Sequence, residues 1–275
     1  MSGATGAYPV PVPRRRGAGL VDGLRRYLPA IIVFLIVVAA WEVISSGSSR
    51  RIIPPPSSIW AAIARESDLL LRSARATFTE AIGGLIIGTL AGLLVGFATA
   101  RWAVARDIML PLAIGASTIP LIAIAPIINN WFGVLNPLSK MMMAALLVFF
   151  PIVINVTRGL VEVHSSALEL MRSYATSDWQ VLRKVRIPNM LPFLFTALKV
   201  STTLAFIGAI VGEFYGGTSA VLGRVVVTSI SGGSFDIAWA AILLGAIAAF
   251  SCYLIVSLVE RLTIPWYIAL RGGQG

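Results

Sequence analysis

Few residues in this chain can do covalent chemistry. His164 is the only histidine and Cys252 the only cysteine, so neither a His/Cys metal cluster nor an internal disulfide is available. No Gly-x-x-x-x-Gly-Lys-Ser/Thr run exists to cradle nucleotide phosphates. What remains is polarity placed inside apolar sequence, where each ionisable group costs free energy and is a functional candidate by default. Glu80, Lys199 and Glu213 are of this kind, and an ammonium as deep as Lys199 must face water, protein or a solute. Glu42, Glu213 and Glu260 read as interfacial groups that reach out to water. Ser117 and Thr118 beside Pro120, Ser201 and Thr202, and the pair Asn129–Asn130 are uncharged. These types hydrogen-bond a passing molecule rather than transform it, and they stand as candidates for lining a path.

The elements that must position them are membrane helices. Of 275 residues, 57% are hydrophobic and 12% charged, about half the charge of a soluble domain. Six apolar runs are long enough to cross a bilayer, at about 27–45, 76–100, 108–128, 138–156, 191–211 and 237–258. The third holds Pro111, Pro120 and Pro126. Residues 1–26, rich in Pro, Gly and Arg, read as a disordered tail, 27–265 as the spanning domain and 266–275 as a second tail. Ser57 or Ser58 is expected to cap a short helix that runs to about Leu71. The net charge of +10 sits in loops and helix ends rather than on a basic helix, which argues for orientation and against nucleic acid. Fourteen Lys and Arg fall on the side of the N-terminus and seven, Lys140 among them, on the other. That asymmetry predicts both termini in the cytoplasm.

Gly84, Gly88, Gly92 and Gly96 recur every four residues of the second span. On a helix they form one drifting groove, suited to close backbone approach. It serves either ordinary packing or a seam that shifts during transport.

The longest polar stretch between spans, about 158–190, reads as two short helices. Ser166 with Glu169 fits a capping box, and Ser177 with Gln180 fits a second. Pro188 is expected to stop the second helix before the fifth span.

Here the chain resembles binding-protein-dependent ABC importer permeases, whose cytoplasmic signature is Glu-Ala-Ala-x3-Gly-x9-Ile-x-Leu-Pro. Glu169, Ala175, Val185, Ile187 and Pro188 hold the Glu, Gly, Ile, Leu and Pro places without insertion. Leu170 and Met171 replace the two alanines, and Ala175 replaces glycine, a strained choice if the turn needs positive φ. Ile53-Pro54-Pro55-Pro56-Ser57, Trp131-Phe132-Gly133, Phe150-Pro151, Val211-Gly212-Glu213 and Leu222-Gly223 extend the resemblance over most of the chain. The subgroup is similar to nitrate/sulfonate/taurine permeases. Asn129-Asn130 before Trp131 and Arg186-Ile187-Pro188 before the fifth span also resemble permeases for pyrimidine-like precursors or riboflavin.

The resemblance implies an all-α, type I permease bundle of about six transmembrane helices in the bacterial inner membrane, not itself an enzyme. It implies coupling to ATPase subunits through Glu169, Arg172, Tyr174, Ala175, Thr176, Ser177, Asp178 and Pro188. It also implies a second permease copy, two ATPases that bind ATP and Mg, and an external solute-binding protein. No cofactor or metal is expected on this chain. The rival reading is a secondary, ion-coupled transporter, which relies on repeats and buried relays.

Overall fold

The computed structural model describes residues 19–47 and 52–267, all of it helix and connecting turns. Residues 1–18, 48–51 and 268–275 lie outside the described residues, and with them most of both expected tails. Eleven helices are described: α1 Gly19–Ser46, α2 Pro56–Arg65, α3 Ser67–Arg101, α4 Ala103–Ala116, α5 Leu121–Phe132, α6 Pro137–Val161, α7 Ser165–Ser173, α8 Asp178–Val181, α9 Ile187–Tyr215, α10 Leu222–Ser231 and α11 Phe235–Thr263.

Five segments are long and apolar enough to cross a membrane: Leu28–Ser46, Ser67–Arg101, Pro137–Val161, Asp178–Tyr215 and Phe235–Thr263. The expected third span is not one helix. It is split into α4 and α5 at Ser117–Pro120, and neither piece reaches spanning length. Pro111 and Pro126 stay inside their helices. The split falls at Pro120, which takes extended backbone (φ −67°, ψ 116°). Ser117 and Thr118 turn their hydroxyls back onto Ile114 O and Gly115 O, supplying the freed carbonyls at the break.

The described residues up to Ser57 and those from Ser58 onward form separate compact units. In the first, α1 starts at Gly19, inside the segment expected to be a tail. Ser57 does not act as a helix cap, because Pro56 already occupies the first helical position, where a missing N–H costs nothing. The Ser57 N–H and hydroxyl instead donate to the two oxygens of Glu42 at 3.0 and 2.6 Å.

In the second unit, α3, α6 and α9 form the core, with Ala144, Val148, Ile152, Val156, Ala205 and Phe206 buried among them. The four glycines of α3 face α6. A Cβ at Gly84, Gly88, Gly92 or Gly96 would meet Ala144 Cβ at 2.3 Å, Ala145 O at 2.5 Å, Ile152 Cγ2 at 2.7 Å or Val156 Cγ1 at 2.7 Å. Thr157 Oγ1 also donates to Gly96 O across this seam. On α9, Gly208 lies as close to α6, 2.6 Å from Ala144 Cα by the same construction. Arg65, the last residue of α2, reaches Asp236 at the start of α11 at 2.9 Å, and that carboxylate raises the guanidinium pKa further above neutrality.

Candidate coupling loop and membrane path

α6 enters the loop and α9 leaves it, so the loop sits at one end of the bundle, and no residue of α7 is buried. Ser166 and Glu169 do not make the expected capping box. α7 begins at Ser165 with His164 at the N-cap position and no side-chain cap, which places Ser166 inside the first turn. Glu169 is exposed and makes no hydrogen bond or ion pair among the described residues. The second box is present: Ser177 N–H donates to Gln180 Oε1 at 3.0 Å, and Gln180 N–H donates back to Ser177 Oγ.

Between the two helices the chain turns through Ala175 at φ +48°, the left-handed region. Thr176 N–H donates to Met171 O and Ala175 N–H to Arg172 O, the paired bonds of a Schellman C-cap whose C′ position favours glycine. Thr176 Oγ1 doubles the first of these at 2.8 Å. Alanine therefore bears the left-handed strain of roughly 1–2 kcal/mol that glycine avoids. Ala175→Gly should stabilise the loop by about 1 kcal/mol. The measurement is slower amide exchange over residues 165–181 with the bundle unchanged.

Pro188 does not stop the helix. α8 runs on through a wider, π-type turn over Leu182–Arg186, in which Ile187 N–H donates to Leu182 O, and into α9. The wider turn accommodates Pro188, at the second position of α9, without the clash a proline causes in a regular helix interior. The result is one helical path from Asp178 to Tyr215. Asn189 Nδ2 binds it to the end of α6 through Gly159 O at 2.8 Å and Glu162 O at 3.1 Å.

Arg172, Tyr174, Ala175, Ser177 and Asp178 are exposed with Glu169, Thr176 is half-buried, and Pro188 lies at the root of the loop. Two large apolar side chains join Tyr174 there: Leu170, Tyr174 and Trp179 are 57%, 72% and 66% exposed. Leu170 and Trp179 were not singled out by sequence; their signal was large apolar residues in a polar stretch. Trp179 borders a cavity of about 320 Å³ with Phe97, Arg101, Leu182 and Arg186.

The path candidates do not converge. Ser117, Thr118 and Asn130 are exposed, whereas Asn129, Ser201 and Thr202 are buried. Thr202 donates to Lys199 O. Lys199 forms an ion pair with Glu260 at 2.8 Å, so both groups hold each other between α9 and α11. Glu213 does not reach out to water either, being 0% exposed, and Lys140 is 1% exposed rather than a loop charge. Among the described residues no cluster of three His, Cys, Asp or Glu could hold a metal.

Residues 70–267 match the binding-protein-dependent transport system inner membrane component family. The chain belongs to that family. It is the permease of a binding-protein-dependent ABC importer, and ATP hydrolysis resides in a separate subunit. The riboflavin transport system permease protein RibX of Chloroflexus aurantiacus is 31% identical over 75% of this chain and 76% of its own. The taurine transport system permease protein TauC of Escherichia coli is 27% identical over 70% of this chain and 69% of its own. Among solved structures, an inward-facing form of the MetNI methionine ABC transporter superposes with a TM-score of 0.61 at 18% identity. That match covers 72% of this chain and 97% of the other. This permease thus shares the all-helical fold of that transporter's membrane chain.

Proposed function

We propose that this permease works as a homodimer with both termini in the cytoplasm and passes a small organic solute inward from an external binding protein. The face of α7 with the turn that follows docks onto an ATPase subunit, one per permease copy, and ATP and Mg are bound there. Glu169, Arg172 and Asp178 supply charge to that contact, and Tyr174 to Ser177 supply its shape. Leu170 and Trp179 supply apolar area. The observation that carries this reading is the exposed α7 joined through the Schellman turn to one unbroken rod, α8 to α9. A load on the loop thereby reaches the far end of the bundle.

Ser117, Thr118 and Asn130 are the path residues that stay accessible, at and beyond the break between α4 and α5, and they face the passage between the two copies. Asn129, Ser201 and Thr202 serve helix packing, and the Lys199–Glu260 pair serves structure. Greater identity over more of the chain favours a riboflavin-like ring solute over a taurine-like sulfonate. The test is the energy source for uptake: ATP must be required, and an ion gradient must not replace it.

A further inference from the structure

The end of the bundle opposite the coupling loop holds a buried polar cluster that the transport reading leaves unused. Its centre is the start of α10. The N-cap residue there is Val221, which has no side-chain acceptor, yet the first amides of α10 are not left orphaned. Thr77 Oγ1, on α3, accepts from Leu222 N–H at 3.0 Å. Glu213 Oε2, on α9, accepts from Gly223 N–H at 2.6 Å. Thr77 and Glu213 are 0% exposed and Leu222 is 1% exposed. A Cβ on Gly223 would sit 2.6 Å from Glu213 Cβ and 2.8 Å from Glu213 Oε2, so glycine at this place is what admits the carboxylate.

Two further charged groups face Glu213. Glu80, on α3, is 5% exposed and lies beside the Glu213 carboxyl, and Glu80 Oε2 and Glu213 Oε1 are buried without a hydrogen-bond partner among the described residues. Lys140, on α6, donates to Val134 O and lies near enough to both carboxyls to attract them electrostatically. Out of water each unmatched carboxyl oxygen costs free energy, so the acceptor role of Glu213 Oε2 toward Gly223 is the satisfied part of this set. α10 itself has ten residues, too few to hold a helix alone, and the positive end of its dipole points at the carboxylate. Glycines flank it on both sides, Gly216–Gly217 and Gly232–Gly233. Gly233 has φ +75° and open space around it.

We propose that Thr77 and Glu213 are positioning residues of a cap supplied by α3 and α9, which latches α10 onto the bundle so that α10 is released as a unit when the cap breaks. Its placement on the external side rests on the orientation proposed above; the latch does not. With the cap made, α10 is held down over the end of α9, the end that the coupling rod drives. With the cap broken, its first amides have no acceptor and the flanking glycines let it swing.

The test is hydrogen exchange, read by mass spectrometry, on the purified full-length chain in lipid nanodiscs. Thr77→Val and Glu213→Ala should each speed exchange across residues 218–233 at least about tenfold while α6 and the middle of α9 keep wild-type protection. Thr77→Ser and Glu213→Gln should stay near wild type. The glutamine amide offers an acceptor to Gly223 and a donor to Glu80. If Glu213→Ala does not fold, Thr77→Val, nearly isosteric, decides the matter alone. Unchanged exchange in α10, a uniform rise through α3, α6 and α9, or failure of both conservative variants to protect α10 would each overturn the latch. Placement is read separately. With Cys252→Ala as background, Ser231→Cys should react with an impermeant maleimide in sealed right-side-out vesicles. Absence of reaction there, with rapid reaction after permeabilisation, removes the external placement and leaves the exchange result standing.

Discussion

Gly88→Leu should give a chain that inserts into the membrane but cannot close its bundle. At this position a Cβ alone lies 2.5 Å from Ala145 O, 2.8 Å from Val148 Cβ and 3.0 Å from Ala145 Cα. Two of these three are backbone atoms of α6, so no rotamer change relieves the contact, and α3 and α6 must part. Overpacking a filled core costs roughly 1–3 kcal/mol and more when the backbone is the obstacle. A leucine here belongs at or above the top of that range, about 3 kcal/mol. Ile152 and Val156 pack against the same seam at Gly92 and Gly96, and they lose close contact along with Ala145. The measurement is the fraction of membrane-inserted protein that survives detergent extraction as a monodisperse species, expected to fall at least tenfold. Gly83→Ala is the control, because its Cβ meets only the flexible side chain of Met141, nearest at Sδ, 2.8 Å away, and Met141 can yield. Equal losses from the two variants would show that α3 carries no seam of the kind described.

Glu169→Lys should abolish coupled transport while leaving the fold intact. Glu169 is exposed on α7 and neither caps its helix nor pairs within the described chain, so charge reversal removes nothing that the bundle uses. In a docked interface the same change replaces an attraction with a like-charge or unpaired contact, which costs about 2–5 kcal/mol. Uptake should fall at least tenfold and ATPase recovery should fall with it, while thermal stability of the isolated permease shifts by less than about 0.5 kcal/mol, as for an ordinary surface substitution. Normal uptake with normal ATPase recovery would remove Glu169 from the contact. A large loss of stability would assign it to folding instead.

These two positions differ in how openly the sequence displayed them. The glycine spacing on α3 needs only helix geometry to place four residues on one face, and the strained Ala175 followed from the place it takes in the signature. Hydropathy located five of the six expected spans near their observed positions. It failed at the third, where three prolines competed and only tertiary placement selects Pro120 as the break. It also failed at Pro188, because proline rules describe a regular α-helix and the chain here widens into a π-type turn. The polar cluster was the least legible part. Lys140 was counted as a loop charge because it stands within a turn of the start of α6, and Glu213 as a snorkelling one because it stands near the end of α9. Their burial depends on Thr77, Glu80 and Gly223, which no local pattern brings together. Leu222–Gly223 was visible only as a landmark, and its role is set by an acceptor ten residues earlier and another on α3.

The central claim is that ATP hydrolysis in a separate subunit drives solute through this permease by way of the α7 loop. The most direct test reconstitutes the permease with its co-purified ATPase and binding protein in sealed proteoliposomes, with the permease in the orientation that presents α7 to the lumen. Uptake of radiolabelled riboflavin and taurine, the probes for the two solute classes, is followed with ATP and Mg in the lumen or with an imposed proton or sodium gradient. The account predicts ATP-dependent accumulation of at least one probe that needs the binding protein, is lost in Glu169→Lys and is indifferent to the gradients. Accumulation driven by a gradient, by the permease alone and without ATP, would contradict it.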